Sequence, residues 1–139
     1  MPAITGQCHC GNISYALESA QQPVDFTPRA CTCSFCARHG GRYISDPAGR
    51  LEVSIADDSL VQHYRFGHET ADFIVCRQCG VLTLVTSVIE GRRYAVININ
   101  TADQREDFAQ PAIPVTYRDE PAEKRLARRA RTWIGQVNI

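Results

Sequence analysis

No apolar stretch in the 139-residue chain approaches the ~20 residues that a helix needs to span a bilayer. Its opening, Met1-Pro2-Ala3-Ile4-Thr5-Gly6-Gln7, has neither a basic run nor an apolar segment of signal-peptide length. There is no excess of charge: fifteen basic and fifteen acidic side chains give a formal charge of +0. Global electrostatics therefore argue for no particular partner, and neither a membrane nor nucleic acid is expected. Repeats, low-complexity tracts and linkers are also lacking, so one domain spanning 1–139 is expected. Hydrophobic content of 44% and charged content of 22% are ordinary for a folded protein.

Cysteine is abundant. Seven are present, an odd number, spaced too tightly within Cys8-His9-Cys10 and Cys31-Thr32-Cys33 for relaxed disulfides. With a reducing cytoplasmic location expected, clustered cysteines read as metal ligands or catalysts. They divide into four plus three. Cys76-Arg77-Gln78-Cys79-Gly80 has the form of a zinc knuckle, with a glycine that tolerates positive φ after the second cysteine. Cys8 and Cys10 would share a face of an extended segment, followed by Gly11. One ion held by both pairs would close a four-cysteine structural site and clamp parts of the chain 66 positions apart (76 − 10).

Cys31, Cys33 and Cys36 are left with no obvious fourth ligand. Two readings stand at this point. His39, three residues beyond Cys36, could complete a second structural site. Alternatively, the fourth position is open, as in catalytic zinc sites. A centre of three thiolates is soft and suits a substrate thiolate, which it would hold deprotonated and ready to attack an electrophilic carbon. Carbon–sulfur bond making or breaking is the reaction class that fits. A non-catalytic zinc scaffold that binds protein or nucleic acid is the alternative.

Around the cysteines the chain reads as mainly β. Ile13, Tyr15 and Leu17 alternate, as do Leu51, Val53 and Ile55. Val24 to Ala30, Leu60 to Phe66 and Ala71 to Val75 read as further strands. Val81–Val88 and Tyr94–Ile99 read as a hairpin around Glu90-Gly91. One helical turn ending at Gly40 is expected after Cys36, and a short helix from Thr101 to Phe108. Pro111 and Pro114 mark an irregular stretch. Pro121 suits a first helical position, opening a C-terminal helix whose Leu126, Ala130, Trp133 and Ile134 would face the sheet, with a solvated basic face opposite.

The motifs Gly6-x-Cys8-x-Cys10-Gly11-x-Ile13-x-Tyr15, Cys31-x-Cys33-Ser34-x-Cys36 with Gly40-Gly41, and Cys76-x-x-Cys79-Gly80 resemble, in order and separation, those of the glutathione-dependent formaldehyde-activating enzyme family, which also contains centromere protein V. Thr32 stands where that family commonly has histidine, and Val75 where it has an aromatic residue. The resemblance implies a β-tent-like arrangement of small antiparallel sheets. It also implies a structural Zn2+ on Cys8, Cys10, Cys76 and Cys79, and a second, catalytic Zn2+ on Cys31, Cys33 and Cys36. The activity implied is that of a carbon–sulfur lyase or synthase adding glutathione to formaldehyde. The expected partners are a small thiol such as glutathione with an aldehyde, and a second copy in a homodimer. An anionic thiol calls for cations beside the metal. Arg38 and Arg42 are the candidates for substrate binding, with Arg77 a further one, and Ser34 and Tyr43 are candidates to bond a substrate oxygen.

Overall fold

The computed structural model describes residues 3–139. Its strands are β1 (Ala3–Gln7), β2 (Ile13–Glu18), β3 (Arg29–Cys31), β4 (Tyr43–Ile44), β5 (Arg50–Ile55), β6 (Val61–Tyr64), β7 (Asp72–Cys76), β8 (Leu82–Ile89), β9 (Arg92–Asn98), β10 (Ile113–Val115) and β11 (Gln136–Asn138). Two helices accompany them, α1 (Ser34–His39) and α2 (Ala122–Thr132). The strands form a four-stranded sheet in the order β1-β2-β5-β11 and a seven-stranded sheet in the order β10-β3-β4-β9-β8-β7-β6. The mainly β class and the short C-terminal helix are as the sequence predicts.

Alternation places the smaller sheet's apolar face. Leu17 lies opposite Leu51, Tyr15 opposite Val53 and Ile13 opposite Ile55, so like faces meet across the strands. That face packs on Ile74, Leu84 and Ile97 of the larger sheet, with Ile134 buried beside them. β8 and β9 are covered on their other face as well, where Val85 and Val96 pack with Cys36, Tyr43 and Trp133. Covering on both faces explains why six successive residues, Leu82 to Ser87, are all buried. The turn between them has Glu90 and Gly91 both at positive φ (51° and 79°), the backbone of a two-residue hairpin.

Several expectations are corrected. The path from Val24 is a single turn at Pro23–Asp25, and only Arg29–Cys31 is strand. The helix expected from Thr101 is replaced by two short 3₁₀ turns, Ile99–Thr101 and Arg105–Asp107. Here the backbone bonds elsewhere: the Asp103 amide donates to the Thr5 carbonyl (2.8 Å) and Ala102 bridges Gly6. The stretch between Pro111 and Tyr117 contains β10, which runs parallel beside β3. β11 likewise pairs in parallel with β5, so the sheets are not purely antiparallel. Pro121 caps α2 one residue before its first helical position.

The inward face of α2 is also corrected. Arg129 is the buried residue of the helix, Ala130 is exposed, and Trp133 and Ile134 are buried just beyond the helix end. Trp133 already leaves helical geometry (φ −81°, ψ 161°), and Ile134 bridges Ala95 of β9.

Candidate functional site

The first cluster joins the two sheets. Cys8 follows β1 and Cys76 ends β7, and the two chain segments fold alike. The Gly11 amide donates to the Cys8 carbonyl (3.1 Å) and the Gly80 amide to the Cys76 carbonyl (2.8 Å). Both glycines take positive φ, 85° and 78°, a conformation costly for other residues. The Cys8–Gly11 segment is therefore a turn and not the extended path expected. The Cys8 sulfur lies 3.8 Å from Cys10 Sγ, which lies 3.5 Å from Cys76 Sγ, and all four sulfurs fall within 4.8 Å of one another. A tetrahedral ion with metal–sulfur bonds of about 2.3 Å separates its ligands by about 3.8 Å. This donor set fits such an ion.

Ionisation is uneven here. At Cys10 the Asn12 backbone amide lowers the pKa, but burial and the neighbouring thiols outweigh it and push it up to about 11. Burial pushes Cys79 up, yet backbone amides of Cys10 and Val81 and the adjoining thiols hold it down to about 6.

The second cluster is built by the end of β3 and the first turn of α1. Cys31 closes the strand, Cys33 caps the helix by accepting from the Cys36 amide (3.3 Å), and Cys36 is buried one turn in. The three sulfurs lie within 4.8 Å of one another. Among the described residues no histidine, aspartate or glutamate joins them within that distance. His39 is exposed, with its ring against that of Phe35 (4.5 Å between centroids), so the structure gives no support to it as the fourth ligand. The buried Tyr43 adjoins the cluster, its hydroxyl 3.3 Å from Cys36 Sγ. Hydrogen bonding from Cys36 holds Cys31 down to about 6, against the effect of burial and with help from Cys33 and the Arg128 charge. Cys36 is driven up by its bond to Cys31 and by burial. Tyr43 is pushed above the ordinary tyrosine range by burial and by the adjoining sulfurs.

These three cysteines line a cavity of about 580 Å³. Ser34 and Tyr43 line it too, as does the loop Phe66-Gly67-His68. Tyr117 and the arginines Arg29, Arg118, Arg125, Arg128 and Arg129 also line it. The arginines expected beside the cysteines are elsewhere. Arg38 is exposed and turns back to the Ser34 carbonyl (2.8 Å). Arg42 donates to Asn100 Oδ1 (2.8 Å). Arg77 is exposed in its knuckle. None of the three lines the cavity. A signal for the arginines that do was present in positions 125, 128 and 129, whose i, i+3, i+4 spacing puts three guanidinium groups on one helix face.

The family pattern of the glutathione-dependent formaldehyde-activating enzymes matches residues 3–119, spanning both cysteine clusters. The chain belongs to this family. Its fold is also similar to a solved structure of a Rhodobacter sphaeroides protein. That match has 27% sequence identity and a TM-score of 0.60, covering 78% of this chain and 99% of the other. The family match ends before α2, so the helix that carries Arg125, Arg128 and Arg129 lies outside it. Membership associates the chain with formaldehyde-activating chemistry, and its two cysteine clusters could hold metal ions. Among the described residues no helix is long and apolar enough to cross a membrane.

Proposed function

We propose that this family member is a zinc-dependent enzyme that joins a small thiol of the glutathione type to an aldehyde, reversibly forming a carbon–sulfur bond. The observation that carries this reading is the three-sulfur cluster, joined by no histidine, aspartate, glutamate or further cysteine among the described residues and placed on the wall of a 580 Å³ cavity. Cys8, Cys10, Cys76 and Cys79 would hold a structural zinc ion, and Cys31, Cys33 and Cys36 a second one. A zinc ion at the second cluster would supply a soft Lewis acid that keeps a substrate thiol deprotonated at neutral pH.

The protein's own groups do the rest. Cys33 and Cys36 are fixed by the first turn of α1, and Cys31 by its place at the end of β3. Tyr43 keeps its proton and steadies Cys36 through the hydroxyl 3.3 Å away. The cavity arginines favour the anionic form of an entering thiol. In the addition, the sulfur lone pair forms a bond to the aldehyde carbon while the carbonyl π pair moves to oxygen. The proton lost by the thiol ends on that oxygen, so the product is a hydroxyalkyl thioether.

Metal analysis together with NMR detection of S-(hydroxymethyl)glutathione tests this. Two zinc ions per chain and adduct formation faster than the uncatalysed rate are expected, with Cys33→Ser losing one ion and the acceleration. Two bound ions with no acceleration for glutathione and formaldehyde would overturn the assignment of that thiol–aldehyde pair. A single ion and no thiol binding would leave the scaffold reading instead.

A further inference from the structure

The lining of the cavity that holds the three cysteines is rich in positive charge. It carries Arg29, Arg118, Arg125, Arg128 and Arg129, and among the described residues no aspartate or glutamate lines it. The nearby counter-charge is Glu120. It accepts from Arg128 Nε and Nη2 at 3.1–3.2 Å and lies 3.8 Å from Arg125 Nε. Arg128 is further committed by stacking on Tyr117, its guanidinium carbon 3.6 Å from the ring centre.

Arg125 and Arg129 are less satisfied. Arg129 is only 7% exposed and donates through Nη1 to Thr70 Oγ1 (2.9 Å) and Ser87 Oγ (3.2 Å). Arg125 donates through Nη2 to the Tyr117 carbonyl (2.6 Å). The Nε of each is buried without a hydrogen-bond partner. Burial and the adjacent Arg128 and Arg125 charges both work against the protonated form of Arg129. Clustered buried cations with unused donors are stabilised by an oxyanion that takes up the free N–H groups.

We infer that the α2 arginines, with Arg29, select the substrate by net charge. The cavity takes a thiol whose far end is dianionic, a dicarboxylate or a phosphomonoester, in preference to one whose carboxylate is offset by an ammonium group. An ammonium would meet five arginines and no carboxylate on the lining. Arg29 and Arg118 lie within the residues that the family pattern matches and the α2 arginines beyond them. The inference rests on the reading of the cavity as the thiol site.

Thiol-free probes test it on the zinc-loaded protein, using the fluorescence of Trp133. This is the one tryptophan of the chain; it lines the cavity and lies 5.0 Å from the Arg129 guanidinium carbon. Succinate and aspartate differ by an ammonium, as do ethyl phosphate and O-phosphoethanolamine. The member of each pair without the ammonium is expected to bind about ten-fold tighter, and the better of the two tighter probes names the oxyanion. Arg125→Met is expected to weaken that binding by about five-fold or more, whereas Arg131→Met is not. Arg131 is exposed on the same helix and does not line the cavity. If Arg125→Met does not fold, Arg118→Met replaces it, since Arg118 lines the cavity from an exposed position.

Equal binding within both pairs, equal effects of the cavity and control variants, or no binding at all would overturn the inference. These outcomes are separable from the proposed function. Loss of thiol–aldehyde chemistry with charge selection intact would refute only the reaction. Catalysis with glutathione but no charge selection would refute only the inference.

Discussion

A methyl group at position 41 would stand 2.7 Å from the Tyr43 hydroxyl oxygen and 2.9 Å from its ring carbon Cζ. Tyr43 is only 5% exposed, so the ring has little room to retreat. The second glycine of Gly40-Gly41 thus keeps open the space that lets the phenol reach Cys36 Sγ. Gly41→Ala is expected to cost about 1–3 kcal/mol, the range for forcing extra volume into a packed core. Tyr43→Phe, which removes the hydrogen bond and leaves the packing, is expected to cost about 1 kcal/mol. Urea denaturation of the two variants separates the effects. A Gly41→Ala protein as stable as wild type would show that Tyr43 shifts freely. The glycine pair was legible as a helix stop, because Gly40 caps α1 at φ 62°. The need for Gly41 was not, since it arises from a ring two residues on that folds back over the chain.

At the scale of the element, α2 separates what sequence pattern reveals from what it hides. Its existence, and its start to within one residue, were legible in Pro121 and in the composition of the segment. Its inward face was not. The spacing of Leu126, Ala130, Trp133 and Ile134 predicted an apolar stripe on the sheet, but the helix ends at Thr132 and the last two residues are buried from an extended path. That leaves Arg129 facing inward, satisfied in part by Thr70 and Ser87 from β8 and the loop before β7. Arg129→Met is therefore expected to destabilise by about 2 kcal/mol, because it strips a donor from buried acceptors. Ala130→Lys, on the exposed side, is expected to stay within about 0.5 kcal/mol of wild type. The reverse ranking in thermal or urea unfolding would restore the apolar-stripe orientation. The short parallel strands β10 and β11 were hidden for a related reason. Three residues carry no readable period, and their partners β3 and β5 lie far away in sequence.

For the whole molecule, the decisive feature is that the four-cysteine cluster spans both sheets. Cys8 and Cys10 come from the β1–β2 connection of the smaller sheet, Cys76 from the end of β7 and Cys79 from the β7–β8 connection of the larger. The grouping of these four was readable from the two paired spacings and the glycine after each, although Cys8 and Cys10 were expected on an extended segment and not in a turn. That they bridge separate sheets required the topology. Buried Cys8 and Cys76 also sit within the apolar cluster between the sheets, so the proposed zinc ion would neutralise sulfurs that are otherwise like-charged or unpaired inside the core. Thiolate–zinc binding contributes on the order of 10 kcal/mol, comparable to the whole stability of a small domain. Cys79→Ala is accordingly expected to give insoluble or unfolded protein. Cys33→Ser, at the edge of the other cluster, is expected to remain folded with one ion fewer. Circular dichroism and metal analysis of the two variants side by side decide the matter. A soluble, folded Cys79→Ala protein with full metal content would mean that hydrophobic contact between the sheets, and not the cysteine clamp, holds them together.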